Sequence, residues 1–206
     1  HHRTRLHGTV ITAELSDMMW RDCYKVSSIE RYPLAWDKRD IDTALDSWLV
    51  HDFGQSWKHH NWELTLHPAG HIPGAAMLHI QTPKLSVLLT GDFDTRDSSL
   101  VRGAQPVKTD ILFVEGTYGG RDHPPKDEEI QRFIESVESI VRRGGTVLIP
   151  AFANGRTQDV VMLLHQHLPH LNVHVDGMGK RVAKTHMNHP SLLKDAPALE
   201  RAWRWV

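Results

Sequence analysis

Cysteine is nearly absent from this chain of 206 residues, and neither sign of charge prevails, with 24 Lys+Arg against 25 Asp+Glu. The single Cys23 closes no internal disulfide and builds no thiolate zinc cage, so the sequence reads as that of an intracellular protein. A formal net charge of -1 argues against a histone-like or tail-driven nucleic-acid binder, while leaving room for a local basic groove. No apolar run approaches the roughly 18 residues a membrane span needs, and the first residues lack a signal-peptide pattern. The expectation is a cytoplasmic protein, nuclear if the source is eukaryotic, with no membrane partner. Internal repeats and low-complexity stretches are also missing, which removes solenoids and disordered linkers. What remains is ordinary globular composition, 40% hydrophobic, with an excess of histidine, 16 residues, that calls for chemistry or for a surface explanation.

Hydrophobic spacing divides the chain into a strand-rich part and a β/α part. Gly8–Ala13 has strand composition, and Ser16 stands as the N-cap of a helix reaching about Arg31, with Met18, Met19, Cys23 and Val26 as its stripe. Asp37 caps a second helix from Lys38 to about Val50. Trp62, Leu64 and Leu66 alternate with polar residues, then Ala76, Leu78 and Ile80, then Leu85–Leu89, giving three strands. The short apolar run Ile111–Val114 suits a strand buried on both faces. From Pro124 onward, a helix over Lys126–Arg143, a strand at Val147–Pro150, a helix from Thr157 to about Leu168, a strand at Val173–Val175 and a helix from Lys180 to about His186 imply a parallel sheet with covering helices. Trp48, Trp57 and Trp62 sit at core spacing, His59-His60 has loop character, and His165, His167 and His170 close a helix, where imidazoles complement the dipole.

Four segments carry candidate chemistry. His71 lies in the turn Gly70-His71-Ile72-Pro73-Gly74 after a strand, and Asp92 lies in Gly91-Asp92-Phe93 after another. A strand end followed by a glycine turn holds a side chain firmly on the rim of a sheet, and imidazole with carboxylate suits a cation such as zinc. A hydrogen-bonded turn histidine and a turn-capping aspartate satisfy the same spacing. Glu115 ends the Ile111–Val114 run, either as a catalytic acid or as the cap of the next turn. Asn154-Gly155-Arg156 opens a helix, where free N–H groups and a guanidinium suit a phosphate, although an ordinary helix start with a surface arginine has the same sequence.

Taken in order, Ala69-Gly70-His71-Ile72-Pro73-Gly74-Ala75-Ala76, Thr90-Gly91-Asp92-Phe93, Glu115-Gly116-Thr117-Tyr118-Gly119 and Ile149-Pro150-Ala151-Phe152-Ala153-Asn154-Gly155-Arg156-Thr157-Gln158 resemble the β-CASP branch of the metallo-β-lactamase superfamily, most closely its mRNA 3′-end cleavage-factor-like and RNase J-related nucleases. The likeness runs from about Gly8 to Gly179; Gly116 departs from it, since these relatives commonly carry Ser there. The resemblance implies an α/β fold in two parts. Residues 1-119 would be part of a metallo-β-lactamase αββα sandwich lacking its N-terminal metal-motif half, and 120-206 the first β/α units of a β-CASP domain.

It further implies a zinc-dependent ribonuclease that hydrolyses RNA phosphodiester bonds, with two Zn2+ in the full-length enzyme. His71 would be a ligand of one zinc, Asp92 the bridging carboxylate, and Glu115 the acid that orients a catalytic histidine; Asn154, Gly155 and Arg156 would line the RNA cleft. RNA is the implied partner, with a homodimer or a processing complex as further company. The family's His-x-His-x-Asp-His motif is nowhere in the 206 residues, so the chain by itself is predicted to be inactive and to leave sheet edges exposed. A DNA-directed β-CASP nuclease and a non-catalytic scaffold paralogue are the competing readings.

Overall fold

Thr9, not Ser16, starts the first helix. Its Oγ1 accepts from the Thr12 N–H and donates to the Gly74 carbonyl at 3.1 Å, which converts the β-branched run Thr9–Thr12 from the expected strand into a helix start. The computed structural model describes residues 4–206. Its elements are β1 (Leu6–Gly8), α1 (Val10–Glu30), α2 (Lys38–Asp46), β2 (Trp48–Val50), β3 (Ser56–His59), β4 (Trp62–Pro68), β5 (Ala76–Gln81), β6 (Ser86–Leu89), β7 (Ile111–Phe113), α3 (Lys126–Arg142), α4 (Arg156–His167), α5 (Gly179–Asn188), a 3-10 turn at Pro190–Leu192 and α6 (Ala196–Trp205). No helix among the described residues is long and apolar enough to cross a membrane. The chain divides into two compact units: residues up to Asp97 with Arg102–Val114, and Ser98–Val101 with Glu115–Val206.

The first unit contains two sheets. β1 and β2 pair in parallel, and β3-β4-β5-β6-β7 form a five-stranded sheet, antiparallel except for the parallel β6–β7 pair. Because α1 begins at Val10, its buried stripe is Ile11, Leu15 and Met18, at 3.6-residue spacing. Met19, Cys23 and Val26, expected inside, are exposed. Asp37 does cap α2 with a full capping box. The helix stops at Asp46, however, and Trp48–Val50 becomes β2 because Leu6–Gly8 lies alongside to pair with it.

In β5 the side chains most withdrawn from water are Met77 and His79, on the face opposite to Ala76, Leu78 and Ile80. β7 is the clearest correction. Ile111, Leu112, Phe113 and Val114 are all exposed, because among the described residues β6 is the only strand that pairs with β7. Trp62 is likewise exposed, at 44%. His60, next to β3, takes a positive φ in the β3–β4 turn.

The second unit is built on helices. The apolar face of α3 supplies Ile134 and Val137, which pack with Leu164 and Leu168 under Val147, Ile149, Val173 and Trp205. The expected parallel sheet is not formed among the described residues. Val147–Pro150 and Val173–Val175 run beside a cavity of about 660 Å³ without a strand ladder. Their composition is that of strands, but a ladder requires a neighbour within hydrogen-bond reach, and Leu148 points into solvent at 91% exposure. A second cluster joins Leu100, Val101, Val161, Met162, Leu199 and Ala202. The last two come from α6, capped by Asp195 through the Ala198 N–H.

Candidate functional site

Backbone bonds fix the two loops that carry His71 and Asp92. After β4, the Ala69 N–H donates to the Ala75 carbonyl at 2.9 Å and Ala75 N–H to Ile72 at 3.0 Å, closing a tight turn with His71 exposed on it. Two glycines make the turn possible. Gly70 has φ +72, and a Cβ there would lie 2.2 Å from the Asp94 carbonyl oxygen; a Cβ on Gly74 would lie 2.0 Å from Ile11 Cγ2.

After β6, the Thr90 N–H donates to the Phe113 carbonyl, and Gly91-Asp92-Phe93 follows. Phe93 packs against Ala69, Met77, Leu88 and Ala104. The Asp94 N–H donates to the Ala69 carbonyl at 3.0 Å, and the Ala104 N–H to Asp94 at 2.8 Å. The loop of His71 and the loop of Asp92 are therefore hydrogen-bonded to each other, with both side chains exposed.

A metal test on this donor set falls short. An imidazole and a carboxylate are the right chemistry for zinc, but such sites take three or four protein ligands. The described residues contain no group of three or more His, Cys, Asp or Glu able to hold a metal ion.

Glu115 lies in the second unit, where its Oε2 accepts the Thr117 N–H at 2.8 Å, so it caps the turn that follows β7. At the start of α4 the side chain of Gln158, fully buried, makes three bonds. Its Oε1 accepts from the Gly155 N–H at 2.9 Å, and its Nε2 donates to the carbonyls of Ala153 and Gly179, each at 3.0 Å. One amide thus ties the first turn of α4 to the first residue of α5. Asp159, 9% exposed, accepts the Leu100 N–H at 3.0 Å. Burial raises its pKa, partly opposed by the charge of Arg156 and by its hydrogen bonds to Ser98 and Leu100. Arg156 itself is exposed. Asn154 is half-buried, and its Oδ1 lies 3.0 Å from His186 Nε2.

The structure brings the His71 and Asp92 loops together in one unit and gathers Asn154, Gly155 and Arg156 in the other. Sequence reasoning missed Gln158, Asp159 and His186. Gln158 carried a signal, its three-residue spacing from the N-cap Gly155. It also missed a stack in the first unit in which His51 lies 3.8 Å from the Trp57 ring centroid while its Nε2 meets His7 Nδ1 at 2.8 Å. Burial, helped by His7, lowers the His51 pKa.

No family model matches the chain. Individual proteins do. It is 32% identical over 207 positions to Probable RNase MJ4 of Methanocaldococcus jannaschii, an alignment covering 96% of this chain and 48% of that protein. It is 36% identical over 172 positions to cleavage and polyadenylation specificity factor subunit 3 of Dictyostelium discoideum, covering 80% and 22%, and 30% identical over 176 to the endoribonuclease ysh1 of Schizosaccharomyces pombe, covering 84% and 23%. The chain spans about half the length of the first of these and about a quarter or less of the other two. Motif order and these similarities agree on the class: the chain is similar to nucleases of the β-CASP family. That family implies metal ions.

Proposed function

We propose that the chain is part of a zinc-dependent ribonuclease that hydrolyses RNA phosphodiester bonds in RNA processing or decay. The observation that carries this reading is the hydrogen bond from Asp94 to Ala69, which sets the loops of His71 and Asp92 side by side on the sheet rim in a chain whose relatives are named ribonucleases and endoribonucleases. In this reading the first unit is part of a metallo-β-lactamase sandwich and the second the N-terminal part of a β-CASP domain. His71 and Asp92 are two of the zinc ligands, and the rest lie in a His-x-His-x-Asp-His motif that the 206 residues do not contain. His71 and Asp92 would hold such an ion only together with ligands outside the 206 residues, and its chemistry there would be activation of water and neutralisation of phosphate charge.

This chain's own residues contribute positioning. The glycine turns hold an imidazole and a carboxylate at fixed places on the rim. Glu115 stands as the acid assigned to orient a catalytic histidine, and Asn154 and Arg156 offer donors to the RNA backbone beside the start of α4; Gly155, expected to join them, is buried with its N–H already given to Gln158 Oε1. Partners of this activity are RNA and a processing complex, with a second copy of the chain as the alternative.

The test compares wild type with Asp92→Ala in the protein at the length its gene encodes, reading zinc content and cleavage of a labelled single-stranded RNA and of DNA of the same sequence. Loss of a ligand is expected to lower cleavage at least about 100-fold together with the metal content. Survival of both overturns the assignment of Asp92. Cleavage of the DNA alone moves the protein to the DNA-directed branch, and wild-type protein that cleaves neither is the scaffold paralogue.

A further inference from the structure

His186 sits near the end of α5 with none of its surface exposed. Its Nε2 meets Asn154 Oδ1 at 3.0 Å, and its Nδ1 is shielded from solvent with no hydrogen-bond partner. A carbonyl oxygen only accepts, so Nε2 carries the hydrogen and donates it. With the amide reversed, Asn154 would donate to Nε2, and the ring hydrogen would move to Nδ1 as a buried donor without an acceptor. That arrangement costs more than an unpaired ring lone pair. Burial, with the neighbouring His189 adding to it, pushes the His186 pKa down to about 4, so the ring is neutral at physiological pH.

For packing alone the pair is unfavourable. One imidazole nitrogen stays unsatisfied, and two apolar side chains of similar volume would avoid that cost. The gain has to be sought at Asn154. Fixing its Oδ1 inward leaves the NH2 of the planar amide on the side away from the imidazole. Asn154 is half-buried and adjoins Gly155 and the exposed Arg156.

We infer that His186 is a positioning residue that turns the Asn154 amide so that its NH2 faces outward as a donor to a non-bridging phosphate oxygen of bound RNA. The inference rests on the ribonuclease reading above and deepens it. Asn154 touches the substrate, His186 acts through Asn154, and the contact is independent of base sequence because every nucleotide offers the same phosphate oxygens.

The experiment measures binding of the protein, at the length its gene encodes, to fluorescently labelled oligouridylate and oligoadenylate of about ten nucleotides. The proteins are wild type, Asn154→Ala, His186→Leu, the double variant and His186→Gln. Loss of one hydrogen bond to a charged oxygen corresponds to about a tenfold weaker Kd. Asn154→Ala and His186→Leu are each expected to show it on both oligonucleotides, the double variant to be no weaker than either, and His186→Gln, which keeps an N–H donor, to restore most of the affinity.

Wild-type protein that binds neither oligonucleotide overturns the RNA reading and this inference with it. Binding by wild type that weakens in Asn154→Ala but not in His186→Leu overturns the inference and leaves the RNA reading standing. So do additive losses in the double variant, or a loss confined to oligoadenylate. Should His186→Leu not fold, the imidazole nitrogen spectrum of the wild type decides. A hydrogen on Nε2 whose resonance moves in Asn154→Ala supports the inference, and a hydrogen on Nδ1 overturns it.

Discussion

Main-chain hydrogen bonds hold His71 and Asp92 in the first unit, where two glycine-bearing loops are bonded to each other and the side chains do no more than project. In the second unit the same task falls to side chains: Gln158 ties α4 to α5, Asp159 takes the Leu100 N–H, and His186 holds Asn154. The first arrangement is sensitive to backbone conformation and indifferent to most side chains. The second is sensitive to single polar atoms, because a buried group left unpaired costs more than its hydrogen bond contributes.

The contrast can be broken at five places. Gly70→Ala carries the largest effect, a loss of about 4 kcal/mol in chemical unfolding, from positive φ and a methyl driven into a carbonyl oxygen. A loss under about 1 kcal/mol means that the His71 turn is not rigid. Gln158→Leu follows with about 3 kcal/mol, since it leaves the Gly155 N–H and the Ala153 and Gly179 carbonyls unpaired. Hydrogen exchange should show that loss in α4 and α5 and leave β4–β6 unchanged.

The third is a pH effect. The pKa of His186 is depressed on folding, so the unfolded chain binds the proton more tightly, and stability present above the unfolded value near 6.5 falls as pH drops toward about 4. Between pH 7 and pH 5 the contribution is about 2 kcal/mol, read as the difference between wild type and His186→Gln in urea unfolding; parallel curves contradict it.

Asp159 works in the opposite sense. Its pKa is raised by burial, so its contribution is greatest below the unfolded carboxylate value and is lost as pH rises through the folded one. Asp159→Asn, whose Oδ1 still accepts from Leu100, should gain stability relative to wild type as pH rises from 4 to 7, read by urea unfolding at the two values. A variant weaker than wild type at pH 7 shows that Arg156 prevails over burial. Leu148→Ser comes last, with a change inside about 0.5 kcal/mol, because the side chain it replaces is already in solvent.

Much of this division was legible in the sequence wherever a pattern is complete within one element. The helix α3, the Asp37 cap of α2 and the strand β4 need no distant partner; α3, β4 and the start of α2 fall within a residue or two of expectation. Failures occur where a partner decides. Trp48–Val50 continues a helical pattern until Leu6–Gly8 offers it a ladder. Val147–Pro150 has the composition of a strand and forms no ladder among the described residues. Ile111–Phe113 reads as buried, yet only one strand lies beside it.

The candidate site divides in the same way. His71 and Asp92 are announced by the glycines next to them in the chain. His186 is 32 residues from Asn154, on another helix, and nothing within its own segment marks it.

The second cluster of the helical unit has a consequence in time. Leu100 and Val101 leave the ribosome well before α4, and about a hundred residues before Leu199, which packs in the same cluster. At synthesis rates of about 5–20 residues per second, that is an interval of roughly 5–20 s in which two apolar side chains wait for their full cover. The Leu100 N–H waits likewise for Asp159. The segment Ser98–Val101 gains its first partners with α4 and its full cover only when α6 has emerged, so a pause in translation ahead of Ala196 lengthens the period in which a chaperone or a protease finds it partly open.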